Sequence, residues 1–167
     1  MKNIVLIGLP GAGKSTIGVI LAKTLGMKFI DTDIVIQENI GKFLQTIINE
    51  DGTEAFLKIE EKNILGLNET NTVIATGGSV VYSTHAMEHL KSDGILVYLN
   101  ISFDEMSKRL RNIKNRGVVM IPGQSLYDMV NQRIPLYEKY ADITIDCSFG
   151  DFENVVGKVV EKIQKIR

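Results

Sequence analysis

The sequence predicts an α/β fold in which a parallel β-sheet is covered by helices on both faces. Apolar, β-branched runs of strand length recur along the 167 residues, and longer segments with apolar residues at helical spacing separate them. This alternation favours right-handed βαβ crossovers, which make the connected strands parallel. The chain contains no internal repeat, linker or low-complexity tract. We therefore expect one domain over residues 1–167.

Five strands and seven helices follow from the pattern. The predicted strands are Asn3–Gly8, Lys28–Asp31, Thr72–Thr76, Gly94–Asn100 and Asp142–Asp146. The predicted helices are Lys14–Leu25, Phe43–Glu50, Thr53–Leu67, Thr84–Lys91, Ser102–Arg111, Leu126–Tyr140 and Phe152–Ile166. In sheets of this kind ligands bind at the carboxyl ends of the strands, so the residues that follow each strand are the first candidates for function.

The composition restricts the classes of partner. The net charge of −1 gives no basic surplus that would favour nucleic acid. No apolar run is long enough to span a membrane, and the amino terminus enters a strand at once, so neither a membrane span nor a signal peptide is predicted. Cys147 is the single cysteine, which fits a reducing compartment. We expect a cytoplasmic monomer that acts on a small-molecule substrate, with no nucleic-acid or membrane partner.

The first predicted strand leads into the segment GLPGAGKS at residues 8–15. This segment matches the phosphate-loop pattern G-x-x-x-x-G-K-[ST] in the strand–turn–helix context that the pattern requires. Glycines let backbone N–H groups curl around phosphate oxygens, and the helix N-terminus adds unpaired donors and a positive dipole end. Lys14 can reach the β- and γ-phosphates, and the Ser15 hydroxyl can ligate Mg²⁺. The predicted nucleotide-binding residues are Gly11, Ala12, Gly13, Lys14, Ser15 and Thr16.

Two aspartates follow the second strand. A Mg²⁺–nucleotide site usually needs a carboxylate at a strand end, and the third strand offers none while the fourth ends in Asn100. Asp31 and Asp33 are therefore the leading candidates. Two residues apart in an extended chain, their side chains would point the same way, toward the phosphate loop. Either aspartate could instead cap a following helix, and a capping role would not exclude a functional one.

Gly77 and Gly78 follow the third strand. A glycine pair at this place indicates close approach of the backbone to a small ligand, with N–H groups exposed as donors. A plain strand-to-helix turn would use glycine equally well. The sequence leaves both interpretations open.

A long loop interrupts the helical pattern at residues 112–125, and basic residues that include Arg109 and Arg116 lie in or beside it. Long loops in compact domains are often lids. Arginines in a lid over a phosphate loop could neutralise a transferring phosphoryl group and exclude water. The alternative is a mobile basic loop without that role. Beyond the loop, Arg133 precedes Pro135, which should bend or interrupt its helix and could aim the arginine into the cleft.

One motif is interpreted as a coincidence. His85 and His89 form an H-x-x-E-H pattern, which occurs in zinc peptidases. A catalytic zinc site needs a further protein ligand, and only Cys147 remains among the histidines and cysteines. We interpret the pair as two surface histidines.

The ordered set of motifs resembles the shikimate kinases, small relatives of the nucleoside monophosphate kinases. The set consists of the phosphate loop, D-T-D at residues 31–33, G-G at 77–78 and R-x-P-L-Y at 133–137, and it spans nearly the whole chain. The resemblance implies a three-layer α/β/α P-loop kinase fold with a five-stranded parallel sheet in the order 2-3-1-4-5 and a lid at about residues 112–124. It also implies transfer of the γ-phosphate of ATP to a hydroxyl of shikimate, with Mg²⁺.

The resemblance also implies roles on the nucleotide side. Lys14 would stabilise the transferred phosphate, and Ser15 would be a Mg²⁺ ligand. Asp31 would hold the metal through water. Arg116 would be the lid arginine, and Arg109 would lie over the adenine.

On the acceptor side, the family's pattern gives roles to four further residues. Asp33 would bind the substrate hydroxyls and could accept the transferred proton. Gly77 and Gly78 would bind substrate through the backbone. Arg133 would pair with the substrate carboxylate.

The chain departs from the family's pattern in three places. The F-R-x-x-E segment reads FLKIE at residues 56–60, so Leu57 replaces an arginine that also grips the carboxylate. Neighbouring Lys58 could substitute only as a point charge, without a bidentate fork. The usual G-G-G reads G-G-S at residues 77–79, and the lid's R-P-L-L reads RGVV at residues 116–119.

The leading hypothesis is a shikimate-kinase-like enzyme that uses MgATP. The nearest alternative is a kinase for another small hydroxy acid or hydroxy amino acid, which Leu57 supports. A nucleoside monophosphate kinase is less favoured, because the glycine turn and the D-T-D pair suit a polyol better than a base. A non-enzymatic switch of the GTPase type would need an N-K-x-D guanine reader, which the sequence lacks.

Overall fold

A five-stranded sheet organises the molecule in the computed structural model, which describes residues 1–111, 117–148 and 150–166. The strands are β1 (Asn3–Ile7), β2 (Lys28–Asp31), β3 (Thr72–Ala75), β4 (Gly94–Asn100) and β5 (Ile143–Asp146). They lie in the order β2-β3-β1-β4-β5, and every neighbouring pair is parallel. The order 2-3-1-4-5 expected from the resemblance is confirmed.

The helices that cover the sheet lie between these strands or follow the last of them. They are α1 (Lys14–Leu25), α2 (Thr32–Ile40), α3 (Leu44–Leu65), α4 (Thr84–Ser92), α5 (Phe103–Arg111), α6 (Leu126–Tyr140) and α7 (Phe152–Ile166), with a short 3₁₀ turn at Val80–Tyr82. Helices α1 and α7 contact each other, whereas α4 and α6 contact β4 and α3 contacts α4. The connection from β1 to β2 through α1 runs one way across the sheet, and the later connections run the other way. Because each crossover is right-handed, α1 lies on one face and α3, α4 and α6 lie on the other. None of the helices in the described ranges is long and apolar enough to cross a bilayer.

The centre of the sheet holds the main core. Strand β1 is buried along its whole length because β3 and β4 flank it and helices cover both faces. Burial on both faces explains why its sequence is a continuous apolar run and not an alternating one. The phosphate loop therefore begins from a strand that is buried on both faces and paired on both edges.

A second, smaller core lies beside the main one. It joins α2, α3 and the segment of residues 117–121, hereafter the cover segment, through Ile36, Leu44, Ile47, Phe56 and Val119. The hydroxyl of Thr53 donates to the carbonyl of Met120 at 3.1 Å, which adds a polar contact to this apolar one. The cover segment is thus packed against α3.

Two details differ from the sequence-based predictions, and a third agrees with them. Helix α2 was not predicted, and its presence means that Asp33 lies in a first helical turn, so the argument from an extended chain is wrong. The break predicted between the helices Phe43–Glu50 and Thr53–Leu67 is confirmed, because Gly52 has a non-helical conformation with φ of 85° and separates two helical parts of α3. Pro135 does not interrupt α6, which continues to Tyr140.

Candidate active site

The phosphate loop turns sharply at the end of β1, and two of its glycines have no room for a side chain. A Cβ on Gly8 would lie 2.6 Å from the carbonyl oxygen of Leu99, and one on Gly13 would lie 2.8 Å from the ring of Phe152. Gly13 also has φ of 88°, in the left-handed region that favours glycine. Helix α1 begins at the next residue, so its unpaired N–H groups face the loop.

The loop lysine is folded over its own loop. Lys14 is buried, and its Nζ donates to the carbonyl oxygens of Gly8 at 2.7 Å and Leu9 at 2.8 Å. These contacts hold a positive charge at the centre of the loop. An anion bound in the loop would meet that charge together with the N-terminus of α1.

Asp31 connects the loop to the second strand. One of its carboxylate oxygens accepts a 2.5 Å hydrogen bond from the Ser15 hydroxyl, and the other accepts a 2.9 Å bond from the backbone N–H of Asp33. The second contact makes Asp31 the N-cap of α2. Capping and proximity to the phosphate loop, which the sequence left as alternatives for Asp31, therefore occur together.

A cleft adjoins the loop. Its wall combines Lys14, Ser15, Asp33, Glu60, the turn at residues 77–79, the cover-segment residues 117–119 and Arg133. The loop thus shares one cleft with the aspartate, the glycine turn and the arginine that the sequence singled out.

The glycine turn is the point of closest approach in this cleft. A Cβ on Gly77 would lie 2.7 Å from Oε2 of Glu60 and 2.9 Å from Oδ1 of Asp33. A Cβ on Gly78 would lie 3.0 Å from Nη1 of Arg133. A side chain at either glycine would therefore require the charged groups beside the turn to shift.

Arg133 enters the cleft from the buried face of α6. It is only 1% exposed, and the buried residues Met129 and Tyr137 lie one helical turn away on either side. Its Nε donates to the hydroxyl of Tyr82 at 3.2 Å, and its Nη2 donates to the carbonyl oxygen of Val119. The helical periodicity aims the arginine inward, so no break at Pro135 is needed.

Glu60 is a site residue to which the sequence analysis gave no role. It is 2% exposed; its Oε1 accepts a 2.7 Å bond from Ser79, and its buried Oε2 has no hydrogen-bond partner within the described residues. Burial, with a smaller contribution from the nearby negative charge of Asp33, raises the pKa of Glu60 to about 7. Glu60 is the last residue of the segment FLKIE, but its burial could not be read from the sequence.

We expect the protein to lose stability as the pH rises from about 5 to 8, in part because Glu60 must ionise in a buried place. Its pKa is raised from 4.5 to about 7 on folding. The contribution of Glu60 to the free energy of unfolding is therefore complete below pH 4.5, its pKa in the unfolded chain, and is lost as the pH rises through about 7, its pKa in the folded protein. The loss amounts to at most about 3 kcal/mol. Glu60→Gln keeps the acceptor for Ser79 and should flatten the decline in urea unfolding free energy. Glu88→Gln, at an exposed position, is the control, and equal slopes for both variants would contradict the expectation.

The remaining predicted site residues divide into three groups. Arg109 is at the loop, where its Nη1 donates to the carbonyl oxygen of Gly11 at 2.9 Å and its Nε donates to Glu105 at 3.0 Å. Arg116 lies outside the described residues. Leu57 does not line the cleft, and Lys58 is exposed and pairs with Glu54 at 3.6 Å, so Lys58 does not replace the missing arginine.

The histidine pair binds no common partner. His89 contacts the carbonyl oxygen of Leu67 at 2.8 Å, whereas the His85 ring lies 4.0 Å from Glu61. Within residues 1–111, 117–148 and 150–166, no group of three or more His, Cys, Asp or Glu side chains could hold a metal ion.

Fold and site together define the class of protein. A parallel sheet in the order 2-3-1-4-5, whose first strand ends in a lysine-bearing phosphate loop beside a polar cleft, is the architecture of a P-loop kinase. The sequence profile described as "Shikimate kinase" matches residues 10–164. The chain belongs to the shikimate kinase family.

Individual relatives agree with this assignment. The chain is 37% identical to the shikimate kinase of Thermodesulfovibrio yellowstonii over 99% of its own length and 97% of that protein. It is 40% identical to the shikimate kinase of Paracidovorax citrulli, and the match covers 89% of this chain and 84% of that protein. Among solved structures, a shikimate kinase from Acinetobacter baumannii in complex with shikimate matches with a TM-score of 0.92 and 32% identity, covering all of this chain and 95% of the other.

Proposed function

We propose that the protein transfers the γ-phosphoryl group of ATP to a hydroxyl of shikimate. The observation that carries the proposal is that Lys14 and Ser15 line the same cleft as Asp33 and Arg133. Phosphate-binding groups and carboxylate- and hydroxyl-binding groups therefore meet in one space. The relative from Acinetobacter baumannii, solved with shikimate, supports this acceptor.

On the nucleotide side, the backbone of residues 11–16 and the N-terminus of α1 bind the phosphates. Lys14 neutralises charge on the β- and γ-phosphates as the γ-phosphoryl group moves. Arg109, already bonded to the loop, lies over the adenine, and Arg116 adds positive charge from the lid.

A magnesium ion fits at the Ser15–Asp31 pair. These two oxygen-bearing side chains lie 2.5 Å apart at the edge of the loop, and oxygen is the ligand that Mg²⁺ prefers. Ser15 would ligate the ion directly, and Asp31 would hold it through water. The ion would supply neutralisation of phosphate charge.

On the acceptor side, Arg133 binds the carboxylate of shikimate, and Asp33 and the backbone of Gly77 and Gly78 bind its hydroxyls. The hydroxyl oxygen forms a bond to the γ-phosphorus while the bond between that phosphorus and the bridging oxygen of ADP breaks. The proton of the hydroxyl passes to the carboxylate of Asp33. Exclusion of water by the cover segment protects ATP from hydrolysis.

Acceptor-dependent release of ADP tests the proposal directly. The protein, with ATP and Mg²⁺, should release ADP rapidly only when shikimate is present, and mass spectrometry should detect a singly phosphorylated shikimate. Hydroxy amino acids, other small hydroxy acids and nucleoside monophosphates form the comparison panel. Faster turnover of any of these, or ADP release that is independent of every acceptor, would overturn the proposal.

Gly77→Ala should raise the KM for shikimate by about tenfold or more. This is the loss in affinity expected when one charge-assisted hydrogen bond to the substrate is broken. The added Cβ would lie within 3 Å of both Glu60 and Asp33, so that these carboxylates must move. Gly157→Ala is the matched control, because a Cβ in that place meets nothing within 4 Å. Steady-state kinetics with a fixed, saturating ATP concentration measures both variants, and equal KM values would contradict the prediction.

A further inference from the structure

We propose that Tyr82 is a positioning residue that holds the guanidinium of Arg133 in its carboxylate-binding orientation. The inference rests on the proposed function, since it concerns how the acceptor's carboxylate is bound. No sequence motif pointed to Tyr82.

The contacts of Arg133 carry the first step. The Tyr82 ring lies under the guanidinium, with 5.2 Å between the guanidinium carbon and the ring centroid, and the tyrosine hydroxyl accepts the Nε–H bond at 3.2 Å. Nη2 is directed at the carbonyl oxygen of Val119. Nη1 remains next to Gly78. The tyrosine thus restrains the plane of the guanidinium and the direction of its fork.

The tyrosine is itself held in place. Its hydroxyl donates to Oε1 of Gln132 at 2.9 Å, and the same oxygen accepts a 3.0 Å bond from Gln124. Its backbone N–H bonds to the carbonyl oxygen of Ser79 at 3.1 Å in the 3₁₀ turn that follows the two glycines. Tyr82 therefore fixes Arg133 relative to the turn that lies beside the acceptor.

The same geometry argues against direct contact of the tyrosine with substrate. Its single hydroxyl hydrogen is used toward Gln132, and an oxygen lone pair accepts from Arg133. Tyr82 also does not line the cleft; it lines a neighbouring cavity together with Leu57. Its effect must therefore pass through Arg133.

Leu57 makes this orientation more important. The family's pattern has an arginine at this position as a second carboxylate contact, and leucine can neither donate a hydrogen bond nor carry charge. A carboxylate bound by one guanidinium depends on the fork geometry of that guanidinium. We infer that loss of the Tyr82 hydroxyl weakens shikimate binding more than it affects chemistry.

Tyr82→Phe keeps the ring and removes the hydroxyl. It should raise the KM for shikimate by about tenfold, the value of a hydrogen bond to a charged group. Both kcat and the KM for ATP should stay within about twofold, because nothing at the phosphate loop changes. Tyr98→Phe is the matched control, since it also loses a tyrosine–amide hydrogen bond, to Asn100 at 3.1 Å, and it should leave KM unchanged.

A double-mutant cycle separates positioning from general packing. Lysine has no N–H in the place of Nε, so in an Arg133→Lys background Tyr82→Phe should have no further effect on KM. Gln132→Ala leaves Tyr82 intact but frees its hydroxyl, and should raise the same KM by about threefold. An unchanged KM in Tyr82→Phe, or an equal increase in the lysine background, would overturn the inference while leaving the proposed function in place. Absence of shikimate turnover by the unaltered protein would instead refute the proposed function, and the inference with it.

Discussion

Replacing Lys14 by alanine is expected to lower kcat by about 10²–10³-fold. Phosphoryl transfer relies on positioning and charge neutralisation, and the Lys14 ammonium is held at the centre of the loop by the carbonyl oxygens of Gly8 and Leu9. The variant should still bind the acceptor, because Arg133 and Asp33 are not altered. Single-turnover and steady-state measurements of ADP formation determine how far kcat falls.

Lys23→Ala is the control for this experiment. Lys23 is an exposed lysine in the last turn of the same helix, so its removal changes the net charge equally without touching the loop. Thermal unfolding of both variants should be compared, since Lys14→Ala also frees two carbonyl groups. A folded Lys14→Ala protein that keeps more than about a tenth of kcat would show that the assigned role is wrong.

Replacing Asp33 by asparagine is expected to lower kcat by about 10²–10⁴-fold, the usual contribution of a general base. Asparagine has the same shape and can still bind a hydroxyl, so the KM for shikimate should change much less than kcat. The substitution also removes a negative charge that helps to raise the pKa of Glu60. The pH dependence of unfolding should therefore become shallower in the same variant.

Asp51→Asn, at an exposed position of α3, serves as the control. If Asp51→Asn lowers kcat as much as Asp33→Asn does, the loss reflects a general electrostatic effect and not a role of Asp33 in proton transfer. A large rise in KM with an unchanged kcat would mean that Asp33 only binds the acceptor and accepts no proton.

The sequence predicted the sheet well because its signals are local. Continuous apolar runs define buried parallel strands, and the glycine-rich turn before Lys14 defines the phosphate loop. Helix α2 was missed because only Thr32 and Ile36 of its nine residues are buried, so its apolar periodicity is weak. Its N-cap, Asp31, was recognised only as an alternative.

The parts of the candidate site that the sequence did not predict depend on contacts between residues far apart in the chain. Glu60 and Ser79 meet across 19 positions of sequence, and Tyr82 and Arg133 meet across 51. No periodicity or motif encodes such a pairing when only one sequence is read. Arg133 was identified by its motif, but its direction was attributed to Pro135, whereas the buried face of α6 determines it.

The contact between Arg133 and the carbonyl oxygen of Val119 has a thermodynamic consequence. It joins Arg133, the residue proposed to bind the acceptor's carboxylate, to the cover segment. Under that proposal, acceptor binding and the position of the segment share a coupling free energy. Such coupling is reciprocal. If acceptor binding weakens this contact, a substitution that weakens the contact in the empty protein must raise acceptor affinity by the same factor. Affinity for the acceptor can therefore be altered by a substitution in the cover segment that leaves Arg133 itself unchanged.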